Sequence, residues 1–256
     1  MKMLLCSSAV SIVFLIFQLI FPYRPPKNLD ISVIEQNKEK YNRLEKWAIL
    51  WIFLSIGLIG FCVFIIGSQI RENFFSSEYE YIVTATDSFW VLPGIILGFG
   101  LIRIPMEFIY KLLLKEEYYL YTLYANMKHG FDGEKIWRPF EYIFTLSGIV
   151  MFILGLNWFV CIDKNDKIEI NELFSLKTHT YNLSDISEIT YFDKYVTKDG
   201  IEKDIKHYVI KMIDGYEWNS YVYGFFSIQK DEDKLNENIE KISKMTEVII
   251  EKKTSH

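Results

Sequence analysis

Few residues of this chain have types and spacings that could do chemistry. Arg103 and Glu107 lie four apart, so on a helix they share one face and can pair. They follow directly on the uncharged run Ser88 to Ile102. An ionisable pair there is either a ligand or ion contact or, the reading favoured here, an anchor near a membrane edge. Asn157 is the one amide in another apolar run, where a hydrogen bond to a neighbouring helix is expected. Gly94 and Gly98 form a GxxxG pair that lets a second helix approach closely. His129 and Asp132 could share a metal, but no further Cys or His stands near to complete its shell. Asp163-Lys-Asn-Asp-Lys faintly suggests a calcium loop. It places Ile168 where the loop needs glycine and Phe174 where it needs glutamate, so a turn is expected instead.

His179 and His207 fall in strand-like runs and read as solvated or core-edge side chains. Asn182-Leu183-Ser184 matches a glycosylation sequon. There is no HExxH, no GxSxG and no Walker-type loop, and the glycines of PGIILGFG lie in an apolar run instead of at a strand-to-helix turn. Cys6, Cys62 and Cys161 make no CxxC pair and read as small apolar fillers. These residues therefore predict no enzyme, no cofactor and no metal.

The elements that would position these groups are set by where the apolar residues fall. Half of the 256 residues are apolar, and the formal net charge is −5. That charge gives no basic field for nucleic acid. Trp47 to Gly67 is uncharged and long enough to cross a bilayer, and Tyr142 to Cys161 matches it. Leu4 to Phe21 is a third run. It ends in Phe21-Pro22-Tyr23, without the small residues a signal peptidase needs, so a retained span is expected. Ser88 to Ile102 is a shorter fourth candidate, with Pro93 placed to kink it.

Four spans put both termini on one side. The stretch Tyr23 to Lys46 carries Arg24, Lys27, Lys38, Lys40, Arg43 and Lys46. Lys111 to Glu141 carries Lys111, Lys115, Lys128, Lys135 and Arg138. The positive-inside rule places these two stretches in the cytoplasm, so both termini are expected outside the cell membrane. Tyr110 to Asn126 reads as a helix continuing out of the third span at interfacial depth.

Beyond Cys161 the period changes. Lys167 to Asn171 alternates as a half-buried strand does. Thr178 to Asn182 and Ile186 to Phe192 are further strand candidates, and Glu188 to Val196 leads into a turn at Asp199-Gly200. His207 to Ile213 and Tyr216 to Tyr223 flank Asp214-Gly215, a hairpin signal. Leu235, Ile239, Ile242 and Met245 then make one apolar stripe on a charged helix, and Val248 to Ile250 offers a last short strand.

This order, DKIEINELFSLKTHTYNLSDISEITYF, then HYVIKMIDGYEW, then a closing helix, resembles the pleckstrin-homology-like β domains found on bacterial multi-pass membrane proteins of unknown function. Leu183, Ile186 and Ile189 supply a stepped pattern seen in such domains. The resemblance covers residues 159 to 250. It implies an antiparallel β barrel or sandwich capped by one helix and a role in binding or assembly, and it transfers no catalytic residue. Such domains are expected in the cytoplasm, whereas the charges of the connecting stretches place this one outside.

The expected architecture is thus a four-span helical domain over 1–161 and a soluble β domain over 162–256. The expected function is a non-enzymatic membrane protein whose β domain binds a protein or its own copies. One alternative is an immunity or stress-accessory protein that works through its helical bundle. Another is a transporter or channel component, for which Asp87, Arg103 and Glu107 are the ionisable candidates. The expected partners are the lipid bilayer and a protein or second copy, not nucleic acid.

Overall fold

The computed structural model describes residues 15–27, 31–74, 79–175, 177–197, 199–221 and 232–255. Residues 4–14 of the first apolar run lie outside them. Its end, residues 15–20 (α1), is helical. Then come α2 (Ile31–Gln36), α3 (Lys38–Phe74), β1 (Tyr79–Thr84), α4 (Val91–Leu101), α5 (Arg103–Leu114), α6 (Tyr118–His129) and α7 (Gly133–Leu156). The chain continues through β2 (Phe159–Asp163), β3 (Lys167–Asn171), β4 (His179–Asn182), β5 (Ile186–Val196) and β6 (Glu202–Lys203). It ends with β7 (His207–Met212), β8 (Glu217–Asn219), α8 (Glu232–Thr246) and β9 (Ile250–Ser255). Two compact units result: residues 1–62 with 93–149, and residues 63–92 with 150–256.

Among the described residues, two helices are long and apolar enough to cross a membrane. They are Lys38–Ile70, whose most apolar 18 residues have a mean hydropathy of 2.8, and Gly133–Leu156, whose most apolar 18 have 1.7. A third span exists if Asp87–Leu101 and Arg103–His129, bent by 47° at their junction, count as one. Of the four expected spans, two are present among the described residues, the bent pair would make a third, and most of the first, Leu4 to Phe21, lies outside them. Large apolar side chains of α3 face outward, with Phe53 69 % and Leu58 64 % exposed. Water would oppose that arrangement, and lipid favours it.

Two boundaries differ from the sequence reading. The last apolar run is not one helix, because α7 stops at Leu156 and Phe159 to Cys161 enter β2. Those apolar residues belong to a strand: Val160 and Cys161 are buried. The helix instead extends backward through Glu134, Arg138 and Glu141. The expected helix from Tyr110 to Asn126 is also broken, at Lys115, whose φ is +49°. An L residue adopts that conformation at a cost, so the break between α5 and α6 is held by its surroundings.

In the first unit, glycines set the helix packing. A Cβ on Gly94 would lie 2.9 Å from the Gly60 carbonyl oxygen, and one on Gly98 would lie 3.1 Å from the Ile56 backbone. On another face of α4, a Cβ on Gly100 would meet the Thr145 backbone at 2.6 Å, and Gly148 of α7 backs onto Leu97. So α4 lies between α3 and α7, and small residues permit the close approach. Beyond the apolar stretches, Ile34 and Tyr41 pack with Tyr110, Leu114, Tyr121, Leu123 and Tyr124 in a second cluster rich in tyrosine.

In the second unit the strands form two sheets. One has the order β1-β2-β3-β4, all antiparallel neighbours. The other has the order β6-β5-β7-β8, with β9 running parallel to β5. The sheets do not close into a barrel among the described residues, and β9 departs from the purely antiparallel pattern expected. Val160, Ile168, Ile170, Ile189, Ile210 and Met212 from both sheets meet Leu235, Ile239 and Ile242 of α8 in one core. Leu183, Ile186 and Ile189 all enter it, whereas Met245 stays 43 % exposed. The Asp214-Gly215 turn joins β7 to β8 as expected, with Gly215 at φ +88°. The strand expected from Tyr216 to Tyr223 is shorter, Glu217–Asn219, and residues 222–230 lie outside the described ones.

Three carboxylates in this unit, two in turns and Glu188 in β5, accept hydrogen bonds. Asp163 Oδ1 accepts from the backbone N–H of Asn165 at 2.8 Å and of Lys167 at 2.9 Å, which makes this segment a turn. Asp214 accepts from Tyr216 N–H and Tyr181 hydroxyl. Glu188 accepts from Thr190 and Lys253. These bonds hold all three carboxyls below the usual range. The unfolded chain then binds protons first as pH falls, so stability from these groups is present above about pH 4 and lost on further acidification. The near-ultraviolet circular dichroism melting temperature should therefore fall below that pH. Asp163→Asn with Asp214→Asn should flatten the fall.

Candidate functional site

Arg103 opens α5 immediately after the bend that ends α4. Its guanidinium lies 3.5 Å from Glu107, 3.6 Å from Glu134 and 3.6 Å from Glu141. Arg138 pairs with Glu134 at 2.6 Å, and Lys111 pairs with Glu107 at 2.7 Å. The pair read from the sequence is thus part of a six-member network between α5 and α7. Glu134, Arg138 and Glu141 were missed. Their signal was the spacing of four and three on one helix face, hidden because the apolar run was taken to begin at Tyr142. Three cations face three anions, so the network is neutral. Arg103, Ile104, Glu107, Arg138, Glu141 and Tyr142 line a groove of about 450 Å³.

Asn157 follows α7 and does not meet another helix. Its amide donates a long bond, 3.5 Å, to the Ser175 carbonyl between β3 and β4. That segment also carries Leu173, fully buried against Ala85, Phe89, Trp90 and Trp158. Phe64 of α3 and Met151, Phe152 and Leu154 of α7 pack on the same cluster. Trp90 lies 5.1 Å from Phe152, and Phe89 lies 5.9 Å from Trp158, ring centre to ring centre. A Cβ on Gly67 would collide with Trp90, and one on Gly155 with Phe89. The helix ends and the sheet of the second unit are thereby packed as one piece. The sequence does not reveal this joint, because its residues come together only across long sequence separation.

The remaining candidates do not converge. His129 faces Glu45 at 3.6 Å and stacks on Phe131, while Asp132 pairs with Lys135 at 3.2 Å. His179 stacks on Tyr216 at 4.7 Å. His207 is buried, bonded through Nδ1 to the Ile205 carbonyl and stacked on Phe192. The Asn182 amide is bonded to Asp185 in the turn before β5. Among the described residues no group of His, Cys, Asp and Glu could hold a metal. Cys161 is buried, and desolvation, with Glu169 and Asp163 nearby, pushes its thiol up to about 12. With Cys6 and Cys62 replaced by serine, maleimide should label Cys161 at least ~100-fold more slowly in the folded protein than in denaturant. Equal rates would show the thiol to be accessible.

No family model, no curated protein and no solved structure matches the chain.

Proposed function

We propose that this chain is a non-enzymatic polytopic membrane protein that holds a pleckstrin-homology-like β module rigidly at one membrane face for protein binding or assembly. The observation that carries the reading is the joint around Leu173. A module that merely needed anchoring would hang from one linker. Here Leu173 is seated on Phe89 and Trp158, and β1, from the segment after α3, pairs with β2. Such a joint, within the second unit, ties the strands to the ends of α3 and α7 and supports a role in which orientation matters. The test compares the full chain with a chain ending at Leu156, both taken from membranes, by cross-linking and light-scattering mass. Association should depend on the β module. The same association in both chains would move the function to the helices.

Topology follows from counting crossings. The first-unit contact between Pro22 and Phe131 is closed by Tyr23 N–H to Gly130 O at 3.2 Å and Asp132 N–H to Phe21 O at 2.9 Å. Between those residues the chain passes through α3, one crossing, so the bent α4–α5 pair must supply a second for the ends to meet. Between β1 and β2 it passes through α7, one crossing, and again the bent pair must supply another. Both contacts favour a broken span over a re-entrant loop. The two basic stretches share the tyrosine-rich cluster and therefore one side. Under the positive-inside rule that side is cytoplasmic, and the proposed topology has the β module outside.

A further inference from the structure

We propose that the groove around Arg103 is a headgroup site for a zwitterionic aminophospholipid of the ethanolamine class. The inference rests on the membrane reading above, because it needs α5 at the bilayer surface. Three observations support it.

First, α5 has the shape of an interfacial helix. Ile104, Phe108 and Leu112 recur every four residues and are 61, 68 and 67 % exposed, while Arg103, Glu107 and Lys111 form the adjoining row. An exposed apolar stripe beside a charged row lies in the headgroup layer with the stripe in the acyl chains. Second, the groove is placed where a lipid can enter it sideways. Ile104 and Tyr142, 61 and 74 % exposed, line it along with the charged groups. Third, the charges have both signs. Arg103 stands 3.5–3.6 Å from three carboxylates, farther than a charge-assisted hydrogen bond, so its guanidinium keeps donors for another acceptor.

A phosphodiester would take Arg103 and Arg138, and a primary ammonium would donate to Glu107 and Glu141. Choline has no N–H to donate. A glycerol headgroup supplies no ammonium for Glu107 and Glu141 and adds an uncompensated negative charge to a neutral network. The shared chemistry, a phosphoethanolamine, could also come from a soluble ester, and the acyl stripe on α5 argues for the lipid.

The test uses the full chain in detergent, with native mass spectrometry and thermal shift. Short-chain phosphatidylethanolamine, phosphatidylcholine, phosphatidylglycerol and free phosphoethanolamine are compared. Wild type should bind phosphatidylethanolamine at least fivefold tighter than the other three. Glu141→Gln should abolish the preference over phosphatidylcholine, whereas Arg138→Gln, at the exposed end of the network, should weaken all three phospholipids alike and leave the preference in place. Equal binding of ethanolamine and choline lipids overturns the proposal, as does tighter binding of phosphatidylglycerol or of free phosphoethanolamine. Retention of the preference in Glu141→Gln overturns it too, and so does loss of the preference in Arg138→Gln. A chain absent from the carbonate-washed membrane fraction would instead defeat the membrane reading itself.

Discussion

Gly98→Leu separates α4 from α3 and destabilises the helical unit by about 3 kcal/mol or more. A Cβ there already lies 2.9 Å from Ile56 Cγ2 and 3.1 Å from the Ile56 Cα and carbonyl oxygen. Backbone cannot swing aside as a side chain can, so the helices must part. Overpacking typically costs 1–3 kcal/mol, and the lost contacts along the seam add to it. The control is Gly57→Leu on α3, away from the contact with α4, because nothing lies within 4 Å of a Cβ at Gly57. The measurement is thermal aggregation of both variants in detergent. Gly57→Leu should melt with wild type, and Gly98→Leu well below it. Coincident melts would mean that the α3–α4 contact is not tight.

Ile239→Asp is expected to release α8 from the sheets. Ile239 is fully buried between Leu235 and Ile242, within the core that both sheets share. The substitution removes a side chain whose burial is worth about 1.5–3 kcal/mol and places a charge where no described cation lies in the core. Together these exceed about 4 kcal/mol, a large part of the stability of a domain of this size. Hydrogen exchange reads the effect by region. Peptides from α8 and β9 should lose protection, because β9 reaches β5 only after α8 has packed. Peptides from α7 should keep theirs. Loss confined to α8 would show that β9 holds its place alone.

How much of this was legible in the sequence depended on the range of the interaction. The Asp214-Gly215 hairpin, the Asp163 turn and the α8 stripe are local, and each was readable from a few neighbouring residues. Gly94 and Gly98 were readable as a close-approach surface, but not the partner they meet, Gly60 and Ile56. The apolar strand residues Phe159 to Cys161 imitated the end of a span, because a core strand and a membrane helix share composition. β1 was the largest omission. Tyr79 to Thr84 lies between two apolar runs, and its partner, β2, lies far along the chain. No periodicity of the segment itself announces which sheet it joins. The Arg103 network failed for a similar reason: its sequence-near partner, Glu107, was visible, and its partners on α7 were not.

The proposed topology has β1 and the tail at one membrane face and the two basic stretches at the other. Single cysteines at Thr86, Lys252, Lys27 and Lys135, in a chain whose native cysteines are replaced by serine, test it in intact cells with an impermeant maleimide. Thr86→Cys and Lys252→Cys should label in intact cells, and Lys27→Cys and Lys135→Cys only after permeabilisation. Labelling of Thr86→Cys without Lys252→Cys, or of Lys27→Cys together with Lys252→Cys, would contradict the account.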